Sequence, residues 1–347
     1  MRVCMQYGLL FFKGTQFQAA GNRMIADIQT RTDVGLRRET NEDFVEALKD
    51  EGLIVVCDGM GGHEKGEVAS QLAAQTITQA FRAMSENEIQ EICANVREDL
   101  PGKARRLVAA VRLANTKVYE KSKNSPEMTR MGTTVVALCQ DNDAFITAHV
   151  GDSRAYRYSN DNLVQITQDH TFSYGNPELD THVNTRVSHY ITRAIGFARS
   201  EKIDVAIGKA APGDRFLLCS DGLSGYVSDE EVVEVLRKYA SNKKAVEILI
   251  NMANEKGGPD NITAAIATIK STSANIPEER LDVSTVDEEN TQVIEFEKDV
   301  LAKFRGRGAV HAGAVVDAVH RDANNVMVGL GILLLLTLMF IFTWLIP

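Results

Sequence analysis

The sequence predicts an α+β fold in which antiparallel sheets and helices form separate layers. Short apolar runs rich in β-branched residues predict strands at 25–35, 53–57, 133–139, 144–150, 154–158, 203–207 and 215–219. The connections between the three strands from 133 to 158 are too short to contain crossover helices, so these strands must pair antiparallel. Helical periodicity occurs in other stretches of the chain. This separation argues against a regular β–α–β winding.

Helices are predicted at 66–84, 86–98, 103–121 and 243–256, and a further helix begins at Ser228. In the first of these, apolar residues repeat at the spacing of one helix face. Ser228 and Glu231 have the S-x-x-E spacing of a capping box, which marks the start of a helix. The last helix is predicted to stop at Gly257-Gly258-Pro259. An irregular stretch at 169–190 lies between the two groups of elements.

The folded domain is predicted to occupy residues 25–270. Residues 1–24 lack an organised pattern and are predicted to be a disordered N-terminal extension, with Met24 as a candidate translation start. Residues 271–325 carry an acidic run followed by a basic one and show weak periodicity. This composition predicts a flexible charged tether.

The C-terminal segment 326–346 predicts a transmembrane helix. It contains 21 residues without a charge, and at 1.5 Å per residue it reaches about the 30 Å thickness of the hydrocarbon layer. A buried core helix is the alternative, but the segment is apolar on every face. The basic residues that precede it predict, by the positive-inside rule, that the preceding domain is cytoplasmic; they are Lys303, Arg305, Arg307 and Arg321.

Charge and cysteine content exclude two classes of protein. A net charge of −9 argues against nucleic acid as the main partner. The five cysteines are an odd number and none has C-x-x-C spacing. Cys57 and Cys219 lie within apolar strands, which favours buried thiols in a reducing compartment over disulfides or a nucleophile.

Acidic residues stand at the ends of several predicted strands. Asp58 and Asp221 each follow an apolar run and precede a glycine, and Asp260 precedes another β-branched run. Glu42 and Asp43 precede the first of these strands. Aspartates that only form turns are the alternative explanation. Carboxylates that converge from strand ends, without Cys or His at ligand spacing, are typical of a Mg²⁺ or Mn²⁺ site.

Eight motifs in register resemble the PPM family, the metal-dependent type 2C protein Ser/Thr phosphatases. They are RRETNEDF (37–44), VCDGMGGHEKGEVAS (56–70), MGTT (131–134), VGDSRAY (150–156), TQDH (167–170), ITRAIG (191–196), SDGLSGYVSDEE (220–231) and GGPDNITAAI (257–266). The resemblance implies an α-β-β-α sandwich of two antiparallel sheets flanked by helices, with a two-metal centre at one end. It also implies hydrolysis by attack of a metal-activated water, without a covalent intermediate.

The resemblance assigns a role to each acidic position. Asp58 resembles the ligand that bridges both metals, and Asp221 and Asp260 resemble the remaining carboxylates of the first metal. Glu42 and the Gly59 carbonyl resemble ligands of the second metal.

Three further positions complete the site that the resemblance implies. Asp43 resembles either a ligand or a residue that orients one, and Asp152 resembles the ligand of a third metal in bacterial members. Arg38 resembles the arginine that binds the phosphate.

The acid that protonates the leaving group is left open by the sequence. Eukaryotic members have a histidine directly after the Asp-Gly pair, whereas this chain has Met60. His63 is a possible general acid, and a surface or helix-capping histidine is the favoured alternative. His170 is predicted to be structural, and a metal-bound water is another candidate acid.

Together these observations predict a Mn²⁺- or Mg²⁺-dependent phosphatase that acts on phosphoserine and phosphothreonine. We expect it to be anchored in a bacterial inner membrane with its catalytic domain in the cytoplasm, where it opposes a Ser/Thr kinase. A catalytically silent phosphoprotein-binding module is one alternative. A regulator that dephosphorylates an anti-sigma-factor antagonist is the other.

Overall fold

The computed structural model describes residues 25–269 apart from 62–63, 95, 97–99, 129, 142–143 and 175–187, and in addition 291–295. The predicted extension 1–24 and the predicted transmembrane helix 326–346 lie outside the described residues. Within the described part of the chain, no helix is both long and apolar enough to cross a membrane.

Fourteen strands are found in the described residues: β1 Ile25–Asp33, β2 Asp43–Leu48, β3 Leu53–Met60, β4 Gly132–Thr133, β5 Val135–Asp141, β6 Ala144–Val150, β7 Arg154–Ser159, β8 Asn162–Gln165, β9 Thr171–Tyr174, β10 Ser188–Ile191, β11 Ile203–Lys209, β12 Arg215–Cys219, β13 Ile262–Ile269 and β14 Thr291–Glu295. One sheet has the order β1-β13-β12-β7-β8, and its pairs are antiparallel. The second has the order β14-β11-β6-β5-β3-β2, with β4 paired to β3. Strands β9 and β10 form a separate hairpin.

In the part of the chain that the structure describes, six α-helices cover the outer faces of the sheets: α1 Glu64–Ala83, α2 Glu86–Ile92, α3 Gly102–Asn124, α4 Asp221–Ser224, α5 Asp229–Lys238 and α6 Asn242–Glu255. Helices α1 to α3 share an apolar core with the second sheet, whereas α4 to α6 share one with the first. The described residues therefore form helix, sheet, sheet and helix layers. This confirms the predicted α+β class.

The alternation along the central strands explains the order of the layers. In β3, Leu53, Val55 and Cys57 belong to the core with α1 and α3, so Ile54 and Val56 must face the other way because successive strand residues point to opposite faces. All five are fully buried. The sheets themselves are in contact, since the rings of Phe145 in β6 and Phe216 in β12 lie with centroids 4.9 Å apart. Unbroken apolar runs in the sequence therefore mark strands that are buried on both faces.

Most helix predictions are confirmed, but one helix is shorter than predicted. The capping box of Ser228 and Glu231 is present at the start of α5. Helix α2 ends at Ile92 instead of continuing to residue 98. Buried Val96 and Leu100 follow it outside any helix and pack in the core. Tertiary burial thus overrides the local periodicity.

Four regions contain strands that the sequence did not predict. Strands β2 and β8 were missed because each is only partly buried and has a weak apolar pattern. The ends of the irregular stretch 169–190 form the β9–β10 hairpin. Strand β14 lies inside the predicted tether, next to β11. The tether stays a prediction for 271–290 and 296–325, which lie outside the described residues.

Four cysteines are free and buried, as the sequence predicts: Cys57, Cys93, Cys139 and Cys219. Burial is the main cause that raises the pKa of each thiol, and it raises the pKa of Cys139 and Cys219 to about 12. These thiols stay protonated at neutral pH, so they are poor nucleophiles.

Candidate metal centre

Five aspartates meet at one end of the sandwich, each carried by a different part of the fold. Asp43 begins β2, Asp58 lies near the end of β3, and Asp152 lies between β6 and β7. Asp221 opens α4 directly after β12, and Asp260 precedes β13. The structure therefore brings these predicted residues together, although 217 positions separate the first from the last.

Asp43 and Asp58 face each other as cross-strand partners in β2 and β3. The hydroxyl of Ser220 donates a hydrogen bond of 2.7 Å to Asp43 Oδ2. Asp43 Oδ1 is buried and has no hydrogen-bond partner. Burial is the largest cause that raises the pKa of Asp43 to about 7, and repulsion from Asp221 and Asp260 adds to it. Hydrogen bonds from Thr263 and Ser220 lower this pKa but offset only part of the increase.

Asp58 is the most central carboxyl of the cluster by its partners, since four other aspartates act on it. Burial raises its pKa well above the ordinary value, with further contributions from Asp43 and then Asp221. Its amide donates to Thr134 Oγ1 at 3.0 Å, and its carbonyl accepts from Thr133 Oγ1 at 2.8 Å. The backbone of Asp58 is thus held firmly while its side chain stays among like charges.

The carboxyl of Asp221 also has a raised pKa, although this residue is exposed on the surface of the site. Desolvation first, and then the charge of Asp260, raise the pKa of its carboxyl. A hydrogen bond with Asp58 and the charge of Arg38 act in the opposite direction and offset only part of the increase.

Asp152 also has a buried oxygen, Oδ1, without a partner. Burial, followed by repulsion from Asp221, raises its pKa to about 7. The preceding Gly151 has φ 109°, and a Cβ there would lie 2.6 Å from Thr134 Cγ2. Glycine is therefore required for the turn that presents Asp152 to the site.

The backbones of Glu42 and Gly59 pack closely against each other beside the start of α1. The Gly59 amide donates to the Glu42 carbonyl at 3.0 Å. A Cβ on Gly59 would lie 2.1 Å from the Gly66 carbonyl oxygen, and a Cβ on Gly66 would lie 2.7 Å from Glu42 Cδ. The sequence analysis missed Gly66, although a glycine inside a predicted helix is a signal of such close approach.

Arg38 lies at the rim of the site, where its Nη2 donates to Asp260 Oδ2 at 2.9 Å. Its side chain is 49% exposed, so substrate can reach it. Asn261, which follows Asp260 in the chain, holds this rim together. Its Oδ1 accepts from the Glu42 amide at 2.8 Å, and its Nδ2 donates to the carbonyls of Val34 and Thr40.

A second buried cluster lies beside the first and consists of His149, His170, Asp204 and Arg193. The ligand atoms of the first three lie within 4.8 Å of one another. His170 Nδ1 accepts from the Gly151 amide at 2.9 Å, so its Nε2 carries the proton and donates to Asp204 Oδ2 at 3.1 Å. Arg193 Nη2 donates to Asp204 Oδ1 at 2.8 Å and also contacts His170 Nε2.

The charges of the second cluster are balanced without an ion. Burial alone would raise the pKa of Asp204, but the hydrogen bond from His170 and the charge of Arg193 lower it overall. The guanidinium of Arg193 already occupies the position beside His170 and Asp204 that a cation would take. His170 therefore supports the Gly151 backbone, in agreement with its predicted structural role.

The donor set of the first cluster fits divalent cations. It consists of carboxylates, two of which have buried oxygens without partners, and hard cations such as Mn²⁺ and Mg²⁺ prefer oxygen ligands. The sequence predicted the aspartates but missed Ser220, Thr134 and Asn261, which position them. His63 lies outside the described residues, so its role as general acid stays a prediction, as do the individual roles of the ligands.

Comparison with known proteins agrees with this geometry. A family model described as protein phosphatase 2C matches residues 37–264. The Ser/Thr protein phosphatase PstP of Mycobacterium tuberculosis is 36% identical over 248 residues, which are 69% of this chain but only 44% of PstP. The Ser/Thr phosphatase stp of Listeria welshimeri is 30% identical over 68% of this chain and 93% of its own length.

A solved structure supports the same relationship. The catalytic domain of PstP in complex with two manganese ions superposes with a TM-score of 0.58 at 33% identity. The match covers 72% of this chain and all of that domain.

Proposed function

The chain belongs to the protein phosphatase 2C family, and from this membership we propose that it is a metal-dependent phosphatase of phosphoserine and phosphothreonine proteins. The observation that carries the proposal is the meeting of five aspartates around two unpartnered buried oxygens, with Arg38 at the rim. Neighbouring carboxylates raise each other's pKa in such a site, and the charges of Arg38 and Arg154 offset only part of this increase.

The aspartates and Glu42 would hold two divalent cations, and Asp152 would be available for a third. When bound, these ions supply a water of near-neutral pKa and neutralise charge on the phosphoryl group. Manganese is the ion found in the PstP catalytic domain. The unpartnered oxygens of Asp43 and Asp152 support a role for both residues in cation binding.

Arg38 would bind the phosphate of the substrate. Its planar guanidinium can donate to two oxygens of a phosphate monoester at once. It is exposed on one side and contacts Asp260 on the other, so a phosphate bound by Arg38 lies next to the metal ligands. None of the four cysteines in the described residues takes part, since their thiols are buried.

Hydrolysis by the full-length chain in detergent tests this proposal. We expect Mn²⁺-dependent hydrolysis of p-nitrophenyl phosphate and of phosphothreonine peptides, and we expect EDTA to abolish both. A phosphotyrosine peptide of the same sequence serves as the specificity control. Lack of Mn²⁺-dependent turnover would instead support the silent binding module.

The proposal also covers the cellular location of the protein and its partners. The uncharged segment 326–346 and the basic residues before it support a membrane anchor with a cytoplasmic domain. An anchored phosphatase would act on phosphoproteins near the membrane, including a Ser/Thr kinase, because tethering raises their effective concentration.

Membrane fractionation tests the anchor. Arginine at the centre of a spanning helix costs about 3 kcal/mol per residue. The double substitution Leu334→Arg and Leu335→Arg should therefore move the protein into the soluble fraction, whereas Leu334→Ile with Leu335→Ile should leave it in the membrane. A wild-type chain that is soluble without detergent contradicts the anchor.

A further inference from the structure

A groove of about 390 Å³ lies between the C-terminal end of α3 and the segment that follows the β9–β10 hairpin. It is lined by Tyr119, Ser122, Lys123, Arg130, Gly196 and Phe197. None of these residues takes part in the proposed metal centre. We call it the aromatic–basic groove.

The aromatic–basic groove adjoins the metal centre through β4. The ring of Phe197 lies directly over Gly132, where an added Cβ would come within 2.5 Å of Phe197 Cε1. Gly132 pairs with Met60, two residues beyond Asp58 on β3. A strand advances about 3.3 Å per residue and its neighbour lies about 4.8 Å away, so Gly132, at the near edge of the groove, lies about 8 Å from Asp58.

This position is fixed by backbone hydrogen bonds rather than by a loose loop. Thr133 and Ile195 exchange two of them, at 3.1 and 3.0 Å. The Gly196 amide donates to Asn115 Oδ1 at 2.8 Å. The wall that carries Phe197 is therefore attached to the same strand pair that holds Asp58.

The lining offers positive charge and aromatic surface to an incoming chain. Lys123 and Arg130 are exposed, and neither has a carboxylate partner among the residues that the structure describes. The Lys123 ammonium lies 5.6 Å from the centre of the Tyr119 ring. Phe197 is 51% exposed. In a protein of net charge −9, two unbalanced cations next to an aromatic face favour a ligand with negative charge.

Arg130 also has an unusual backbone. Its φ is 66°, in the left-handed region that non-glycine residues seldom occupy. Its amide donates to the buried hydroxyl of Ser122 at 3.1 Å, at the base of the groove. A non-glycine residue that is kept in this conformation beside an active site is typical of a functional position.

We propose that the aromatic–basic groove binds the substrate residues next to the phosphorylated side chain and prefers acidic ones. The proposal rests on the phosphatase function proposed above and names part of its substrate class. An extended peptide advances about 3.3 Å per residue, so residues two to five away from the phosphorylated one lie over the groove. Carboxylates there pair with Lys123 and Arg130, and an apolar side chain packs against Phe197.

The test compares two phosphothreonine peptides on the full-length chain with Mn²⁺. One peptide has Asp or Glu at positions two to five on either side of the phosphothreonine, and the other has Asn or Gln at the same positions. The measured quantity is the ratio of the two kcat/KM values. Turnover of p-nitrophenyl phosphate, which is too small to reach the groove, is the reference for each variant.

In the wild type we expect the acidic peptide to be preferred. The double variant Lys123→Glu with Arg130→Gly should lower the ratio about tenfold, the size expected for two exposed ion pairs. Glycine at 130 tolerates the positive φ, so the backbone is retained. Lys117→Glu is the control: it repeats the charge reversal of Lys123→Glu on the same helix, but it lies about 160° around from Tyr119, and the ratio should stay as in the wild type.

Two outcomes overturn the proposal, and they differ from each other. If p-nitrophenyl phosphate and the peptides are hydrolysed but the double variant keeps the wild-type ratio, the groove does not bind substrate, and the phosphatase function stands. If neither peptide nor p-nitrophenyl phosphate is hydrolysed with Mn²⁺, both proposals fail.

Discussion

Two buried clusters of charged groups lie next to each other in this protein, and they balance charge in different ways. In the first, Asp43, Asp58, Asp152 and Asp221 repel one another, and the pKa of each is raised. In the second, Asp204 accepts hydrogen bonds from His170 and Arg193, and its pKa is lowered.

The first cluster requires an ion to balance its negative charge, whereas the charges of the second cluster balance one another. The bond from the Gly151 amide to His170 joins them, so the balanced cluster supports the turn that carries Asp152. Burial alone therefore does not mark a functional aspartate. The missing counter-charge does, because a buried charge is stable only when it is paired.

The largest expected effect comes from removing one charge of the first cluster. Asp58→Asn keeps the size of the side chain but removes the carboxylate, and turnover should fall by about 10³-fold or more. In EDTA the same variant should be more stable to urea than the wild type, since one repelling charge is gone. Near-normal activity, or a loss of stability in EDTA, would show that the two clusters do not differ as described.

The same chemical change in the second cluster should have the opposite effect on stability. Asp204→Asn leaves Arg193 without its counter-charge, and the free energy of unfolding should fall by about 3 kcal/mol, as for other buried pairs that lose one partner. Asp161→Asn is the control, because Asp161 pairs with Arg237 at 3.1 Å with both side chains exposed. Its loss should change stability far less, because exposed ion pairs contribute little. Equal effects of the two variants on urea denaturation would remove the contrast.

The smallest effect concerns pH. The pKa values of Asp43 and Asp152 are raised to about 7, whereas an unfolded aspartate has a pKa of about 4. Between these values the folded state of the metal-free protein binds more protons than the unfolded state, so stability should decrease as pH rises.

We expect a loss of about 2 kcal/mol from pH 4 to pH 7 in EDTA, after allowance for solvent in the open site. Saturating Mn²⁺ should abolish this dependence of stability on pH near pH 7, and Asp58→Asn should weaken the dependence. Asp204 does not contribute in this range, since a lowered pKa acts only below about pH 4. Stability that is constant or increases from pH 4 to pH 7 in EDTA would contradict the raised pKa values.

The sequence predicted the first cluster better than the second, and the reason is physical. Asp58 and Asp221 follow apolar strands and precede glycine, a local pattern that can be identified without knowledge of the fold. Asp204 lies inside β11 and has no such pattern. Its partner His170 is 34 residues away, and only strand pairing brings the two together.

The residues that position the ligands were missed for the same reason. Ser220 donates to Asp43 across 177 positions, and Asn261 donates to Val34 across 227. Contacts of this separation depend on the packing of the sheets, which the pattern of apolar residues specifies only as layers. The eight motifs do indicate which segments converge, but not which neighbouring side chain satisfies each ligand.

The buried cysteines turn the two cores into separately observable parts of one domain. Cys57, Cys93 and Cys139 belong to the core of α1 to α3, whereas Cys219 belongs to that of α4 to α6. Because each thiol is shielded and protonated, it reacts with an alkylating reagent only when its own layer opens. The rate at which each cysteine is alkylated therefore reports how often its layer opens, without any introduced label. Peroxide, which inactivates phosphatases that use a cysteine nucleophile, should leave catalysis by this fold intact while both layers stay closed.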